Sequence, residues 1–255
     1  MSDGVLAGIG VLVTRPKHQA AEFSAAIQAA GGKAVGFPAI EIVPRDASDI
    51  DDDAAALQQP DIVIFISSNA SRFGMAHIDA ARVAAVGPAT AAALEAAGQR
   101  VDIRPAAGFD SEHLLEEPEL QSVDGKVVRI IRGSKGRELI ADTLRQRGAI
   151  VEYLPVYTRR APDVDASSVA ALEQAWQSGD IDVVTVMSVE TLTNLVSMLP
   201  EWCSNQLGQT PLVTPASRVI IEATKLFPGI PATLAQGPAA KDMIRAIAEH
   251  VPGHS

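Results

Sequence analysis

The chain has 255 residues, enough for one large domain or two small ones, each able to bury a core. Hydrophobic residues make up 47% of it and aromatics only 4%, which fits an α/β protein, and no apolar run approaches the roughly 20 residues that span a bilayer. A net charge of −10 argues against a nucleic-acid partner, and the single cysteine, Cys203, excludes an internal disulfide and a thiolate metal cluster.

The start, Met1-Ser2-Asp3-Gly4, has neither the basic segment nor the apolar stretch of an export signal. The expectation is a cytoplasmic protein with no membrane partner, in which Asn69-Ala70-Ser71 is a chance glycosylation sequon. Residues 9–14 read as a strand ending at Arg15-Pro16. A helical apolar pattern follows over 18–30 (Ala21, Phe23, Ala26, Ile27, Ala30) and stops at Gly31-Gly32. A second strand at 33–36 leads into 37–44, which alternates between Pro38 and Pro44 and reads as an edge strand or a linker.

After the acidic run 46–53 comes a short helix, then the apolar stretch 61–66, a buried parallel-type strand. Ser67-Ser68-Asn69 begins the next helix. The strand 83–86 runs into Gly87-Pro88-Ala89-Thr90, which opens an alanine-rich helix ending at Gly98. Pro88 suits a first helical position, where its missing N–H would be unpaired anyway. The free N–H groups of that turn, with the Thr90 hydroxyl, suit an anionic group. Further on, the pattern predicts a strand at 100–104, a polar helix over 111–121 and a strand at 126–132. That strand ends in Gly133-Ser134-Lys135-Gly136-Arg137, a helix spans 138–147, and 150–158 is extended, carrying Pro155 and Tyr157.

The last third keeps the rhythm: a helix at 167–177, a strand at 182–187, and a helix opened by Ser188. Leu212-Val213 then leads into Thr214-Pro215-Ala216-Ser217 and another helix, before a strand at 232–234 and a final helix opened by Gly237-Pro238. Strict alternation of strand and helix means parallel sheets with helices on both faces.

The two halves also resemble each other. Arg15 precedes Gly31 and Pro38 by 16 and 23 residues, and Arg132 precedes Gly148 and Pro155 by the same offsets. The stretch 61–67 aligns with 182–188, and 86–90 with 213–217. Two copies of one α/β unit are therefore present, each with a proline-bearing extended segment. In both, small hydroxyl, Gly or Arg residues stand where strands end and helices begin, the edge at which open α/β sheets bind ligands. That lining suits a small molecule with many carboxylates. Removing single side chains at the helix starts after Ser67, Gly87, Gly133 and Ser188 is expected to cost about tenfold or less, because backbone N–H groups would do most of the binding.

No P-loop, GxGxxG, HExxH, GxSxG or CxxC is present, and the five histidines lack metal-ligand spacing. Metal and nucleotide chemistry are not expected.

Thr14-Arg15-Pro16, Ser67-Ser68-Asn69-Ala70, Val86-Gly87-Pro88-Ala89-Thr90-Ala91, Arg132-Gly133 with Gly136-Arg137-Glu138-Leu139, and Tyr153-Leu154-Pro155-Val156-Tyr157 form an ordered set. Taken together they resemble the uroporphyrinogen-III synthase family over nearly the whole chain, from 11 to 247. The resemblance implies two flavodoxin-like domains joined by a two-stranded linker. One would combine 1–36 with 161–255, the linker strands would be 37–44 and 152–160, and 45–151 would form the inserted domain. It also implies closure of linear hydroxymethylbilane to uroporphyrinogen III, with inversion of the last pyrrole ring and loss of water, without cofactor or metal. A monomer that receives its substrate from hydroxymethylbilane synthase completes the picture.

Carried over residue by residue, Tyr157 and Thr90 would be catalytic. Ser67, Ser68, Asn69, Gly87, Arg132, Gly133 and Arg137, with Arg15, Ser188 and Ser217, would bind substrate. A phenol is protonated at neutral pH and can act as a general acid towards a departing hydroxyl. The other reading of Tyr157 is an aromatic that packs the linker. The second copy departs from the family pattern: Val213-Thr214-Pro215-Ala216-Ser217 replaces a Gly-Pro turn, and Glu190 is an awkward neighbour for a polycarboxylate. A different functional class stays open, an inactive two-domain protein of the same fold that binds or senses tetrapyrroles.

Overall fold

The computed structural model describes residues 4–79, 81–108 and 110–250. The chain divides into two compact units, one combining Met1–Glu41 with Arg160–Ser255 and the other formed by Ile42–Arg159. The outer ends of the expected discontinuous domain, 1–3 and 251–255, lie outside the described residues. The strands are β1 (Gly10–Val13), β2 (Lys33–Gly36), β3 (Glu41–Pro44), β4 (Ile62–Phe65), β5 (Arg82–Ala85), β6 (Val127–Gly133), β7 (Ile150–Arg160), β8 (Val183–Thr185), β9 (Leu212–Thr214) and β10 (Ala232–Leu234). They form two five-stranded sheets, β10-β9-β8-β1-β2 and β3-β7-β6-β4-β5. The pairs β1–β2, β1–β8, β8–β9, β9–β10, β4–β5, β4–β6 and β6–β7 are all parallel.

The interior strands β1 and β4 each serve two cores, which is why they read as unbroken apolar runs. Leu12 packs with Trp176, Leu192, Leu195 and Val219, from three helices on one face of the first sheet. Its neighbours Val11 and Val13 pack with Phe23, Ile27, Met243 and Ile247 on the other. In the second sheet Ile62 and Ile64 meet Leu114, Ile140 and Leu144, while Val63 and Phe65 meet Ala70, Ala91 and Leu94.

The repeat is visible in the hydrogen bonding. Asp182 accepts from the Gly10 N–H at 2.7 Å and donates its own N–H to the Gly10 carbonyl at 2.8 Å. Its counterpart Asp61 accepts from the Val127 N–H at 2.8 Å and donates to the Val127 carbonyl at 2.9 Å. Under that alignment the order β2-β1-β8-β9 corresponds to β7-β6-β4-β5, so each sheet is assembled from half of each copy. The fifth place differs. Where the first sheet has β10, the expected strand 100–104 shrinks to a single bridge between Ala84 and Ile103. Asp102 turns its carboxylate back onto the Val83 N–H at 3.0 Å, and Pro105 removes a further donor. The expected helix over 111–121 is likewise two short turns, Ser111–Leu114 and Pro118–Gln121, separated where Pro118 cannot continue a ladder.

The stretches expected as linker strands, 37–44 and 152–160, lie in β3, β7 and the segment before β3. Residues 37–40 belong to the first unit: Phe37 and Ala39 donate to the Val13 and Thr14 carbonyls and are buried in its core. β3 is an edge strand of the second sheet, and β7 lies inside that sheet between β3 and β6. The stretch 152–160, expected as a linker strand, falls within β7, whose buried Leu154 and Val156 also cover the second core. The units meet in sequence at 41/42 and 159/160.

Gly10 is where the first sheet is least forgiving. A Cβ there would stand 1.9 Å from the Asp180 carbonyl oxygen, a backbone atom. Gly10→Ala is expected to lower unfolding stability by about 1–3 kcal/mol, as overpacking against a fixed neighbour does. An unchanged denaturation midpoint would show that β1 can shift away from β8.

Candidate functional site

The expected site residues gather at the carboxyl ends of the parallel strands. Arg15 follows β1 and Ser188 follows β8, the two strands between which the first sheet reverses its winding. Ser67 follows β4 and Gly133 ends β6, which bear the same relation in the second sheet. Ligands of doubly wound sheets bind at such switch points.

Tyr157 reaches this edge through an irregularity. The β6–β7 ladder pairs Arg132 with Pro155 and then Gly133 with Tyr157, so Val156 is skipped. Pro155 has no N–H to give the ladder, and a bulge there re-aims the next side chain. Val156 and Tyr157 consequently share one core although they are consecutive in a strand. The Tyr157 ring lies near Phe73, with centroids 6.2 Å apart and planes at 49°. It sits directly on Gly133, where a Cβ would come within 2.7 Å of Cε2. The expectation of a tyrosine extended along a linker is thus corrected in one respect: the residue is only 5% exposed and is packed within the second unit.

Its hydroxyl meets Ser67 Oγ at 3.1 Å. Ser67 caps the helix Ser68–Gly74, its Oγ accepting from the Ala70 N–H at 3.1 Å. Ser68 and Asn69, both half-buried, form the first turn of that helix. The buried Ser71 hydroxyl lies 3.4 Å from both the Ser67 and the Thr90 carbonyl oxygens, tying the two helix starts together. Gly87 caps the helix Pro88–Ala96, and buried Thr90 donates its N–H to the Gly87 carbonyl at 3.1 Å.

The glycine-rich stretch behaves differently from a helix start. Gly133 ends β6, and the following helix, Leu139–Gln146, begins only at its N-cap Glu138. Arg132 is buried and shapes the intervening loop: it donates to Glu138 at 2.9 Å and to the Gly133 carbonyl at 3.2 Å. Its guanidinium stacks 4.5 Å above the Tyr153 ring, and Tyr153 in turn donates to Glu138. Arg137 is exposed and paired with Glu112 at 2.7 Å. The Tyr153 hydroxyl, and then Arg132, hold the Glu138 carboxyl below the usual range, while burial and the Glu138 bond push the Tyr153 phenol up.

A depressed carboxylate stabilises the fold above the unfolded-state value and loses that contribution as pH falls through the folded one. Glu138→Gln should therefore lower thermal stability at pH 7 by at most about 1 kcal/mol, given a half-exposed pair. The gap to the parent protein should close below about pH 4. A gap that persisted unchanged in acid would assign the loss to packing.

In the first unit, the Arg15 guanidinium lies 4.3 Å over the Phe23 ring and donates to the Pro238 carbonyl at 2.9 Å. Its Nε is buried without a partner, and burial lowers its pKa against the opposing pull of Glu22. Ser188 caps Val189–Met198 through the Thr191 N–H at 3.1 Å, with Glu190 in the first turn. Ser217 is the first residue of its helix. The turn before it is held by Thr214, whose hydroxyl accepts from the Ala216 N–H at 3.2 Å. Among the described residues, no group of His, Cys, Asp and Glu could hold a metal ion, and no helix is long and apolar enough to cross a membrane.

Sequence reasoning passed over Ser71, which ties the two helix starts, and Phe73, which packs beside Tyr157, and gave Glu138 no role beyond its place in a motif. Nothing in a local pattern links Ser67 to a tyrosine 90 positions later. The proline two residues before Tyr157 was the available signal for a bulge.

Fold and candidate site together define an α/β protein of parallel sheets, with hydroxyl-bearing residues at the carboxyl ends of the strands and no metal-ligand group among the described residues. The family model of uroporphyrinogen-III synthase HemD matches residues 21–245. Uroporphyrinogen-III synthase from Escherichia coli (strain K12) is 34% identical over 203 residues, 76% of this chain and 81% of that protein. The Salmonella typhimurium enzyme of the same name is 35% identical over 204 residues, with the same coverage. Among solved structures, a mutant uroporphyrinogen III synthase from the extremely thermophilic bacterium Thermus thermophilus matches with a TM-score of 0.61 at 19% identity, covering 94% of this chain and 98% of that one. The uroporphyrinogen-III synthetase of Helicobacter pylori gives 0.59 at 13% identity, covering 83% and 91%. These two likenesses concern the fold. The chain belongs to the uroporphyrinogen-III synthase family.

Proposed function

We propose that this chain closes hydroxymethylbilane to uroporphyrinogen III, inverting the last pyrrole ring and releasing water, with Tyr157 as the source of the proton that the departing hydroxyl takes up. The observation that carries this reading is the placement of the Tyr157 hydroxyl on Ser67 Oγ, at the carboxyl edge of β4 and β6. Loss of hydroxide from a hydroxymethylpyrrole is driven by the electron-rich ring, so one acid and correct substrate folding suffice. Thr90, tied to the same helix start through Ser71, is assigned to positioning the substrate. Arg15, Ser188, Ser217 and the Gly87 turn would supply donors for carboxylates, with backbone N–H groups favoured over side chains. We read the order β2-β1-β8-β9-β10, which is 2-1-3-4-5 in chain order, and its counterpart in the other unit as flavodoxin-like. A cytoplasmic monomer that receives its substrate from hydroxymethylbilane synthase is part of the same reading. Family membership favours the enzyme over an inactive tetrapyrrole-binding protein.

Tyr157→Phe keeps the ring on Gly133 and beside Phe73 while removing the proton donor. It should retain the fold and slow enzymatic closure at least about tenfold, the lower end of what a positioned acid contributes. Spontaneous closure would then compete and the non-inverted uroporphyrinogen I should rise; Thr90→Ala should show a smaller change in the same direction. Parental rate and isomer ratio in Tyr157→Phe would reduce the tyrosine to packing. No uroporphyrinogen III from the parent protein and fresh hydroxymethylbilane would favour the inactive binder.

With one cysteine and no metal-ligand cluster among the described residues, activity should survive exhaustive chelation and dialysis. Loss of activity that an added metal restored would contradict this.

A further inference from the structure

We infer that Ser67 delivers the proton, relaying it from Tyr157 to the departing hydroxyl of the substrate; this rests on the reading of Tyr157 as the acid. Three observations lead there. Tyr157 is 5% exposed, so its phenol is enclosed, whereas Ser67 is partly exposed at the strand's end. The two oxygens are 3.1 Å apart, within the hydrogen-bond reach of acid–base partners. Ser67 Oγ already accepts from the Ala70 N–H at 3.1 Å, which fixes its position independently of the tyrosine.

One hydrogen bond between two hydroxyls always leaves one proton over. A phenol is much the stronger acid of the pair and so the better donor. With Tyr157 donating and Ala70 donating, both lone pairs of Ser67 Oγ are occupied, and its own proton is the one directed outward. Among the described residues, no further acceptor takes that proton. Gly133 completes the device, because only a residue without a side chain lets the ring lie low enough to place Oη on Ser67.

The step balances. The C–O bond of the hydroxymethyl group breaks with its electron pair moving to oxygen, which takes the Ser67 proton and leaves as water. The pyrrole nitrogen supplies electrons to the remaining cation. Tyr157 refills Ser67. The substituted carbon of the last pyrrole, which bears no hydrogen, attacks the cation. The N–H proton that this ring then loses goes to the phenolate, which restores Tyr157 and leaves a neutral pyrrolenine. Ser67 is thereby a catalytic residue and not only one of several carboxylate binders.

The test is a double-mutant cycle on the full chain with hydroxymethylbilane, read as kcat, KM and isomer ratio. Ser67→Gly removes the hydroxyl while keeping an acceptable N-cap, so the helix should persist by circular dichroism. Ser67→Thr keeps both hydroxyl and cap. The relay predicts that Ser67→Gly and Tyr157→Phe each lower kcat by the same factor, at least about tenfold, with KM unchanged. The double variant should be no slower than either, and Ser67→Thr should stay within about threefold of the parent, the size of a conservative change at a retained hydrogen bond. The parent rate should show a solvent isotope effect with a curved, two-proton dependence on deuterium content, lost in Ser67→Gly. Parental kcat in Ser67→Gly beside a slow Tyr157→Phe would overturn the relay and leave Tyr157 as a direct acid. Additive losses would overturn it as well, making Ser67 an independent binder. Parental kcat in Tyr157→Phe would instead remove the acid reading on which the relay rests.

Discussion

The ladder between β1 and β8 is the constraint on which the architecture depends. β1 sits inside its sheet with β2 on one side and β8 on the other, and Gly10 reaches its Asp182 partner across 172 residues. The first unit therefore cannot close until the last third of the chain arrives, with the whole second unit lying between in sequence. Contacts of such sequence separation carry a large loop-closure cost and slow folding. The inserted unit has its own buried cores, so it can form early and shorten the effective loop.

The same topology decides where chemistry can be placed. Parallel strands put all their carboxyl ends on one edge, so each half of a repeat delivers its Ser, Gly or Arg to equivalent positions. The repeat-related arginines have nevertheless diverged. Arg132 is matched by Glu138 and stacked on Tyr153, and it organises the loop after β6. Arg15 has a ring and a carbonyl as partners and keeps a buried, unpartnered Nε. In an acidic protein that must hold a polycarboxylate, a cation whose hydrogen bond goes to a carbonyl, with Glu22 acting on it through charge alone, is the more useful of the two.

A reaction driven mostly by the substrate's own electrons asks little of the protein beyond one placed proton and an imposed geometry. That is consistent with the proposed site of hydroxyls, glycines and backbone groups. Its precision comes from packing: Phe73 against the Tyr157 ring, Gly133 beneath it, and a capped serine at its hydroxyl.

The sequence by itself determined the fold class, because strands buried on both faces must be continuous apolar runs and helices must show their own period. It also determined the repeat, since Asp61 and Asp182 stand at matching positions and do the same work on neighbouring strands. The ordered motifs pointed to the family. Boundaries were less legible: 152–160 read as a linker strand and lies in β7, between β3 and β6, while 100–104 read as a strand but keeps one bridge. Whether an apolar segment pairs depends on what lies beside it, which a local pattern does not contain. The burial of Tyr157 was decided only in three dimensions. Strand alternation would send it to the opposite face from Val156, and the skip of Val156 after Pro155 returns it to Ser67. A register shift of one residue is invisible in a single strand's sequence, because it is a property of two strands together.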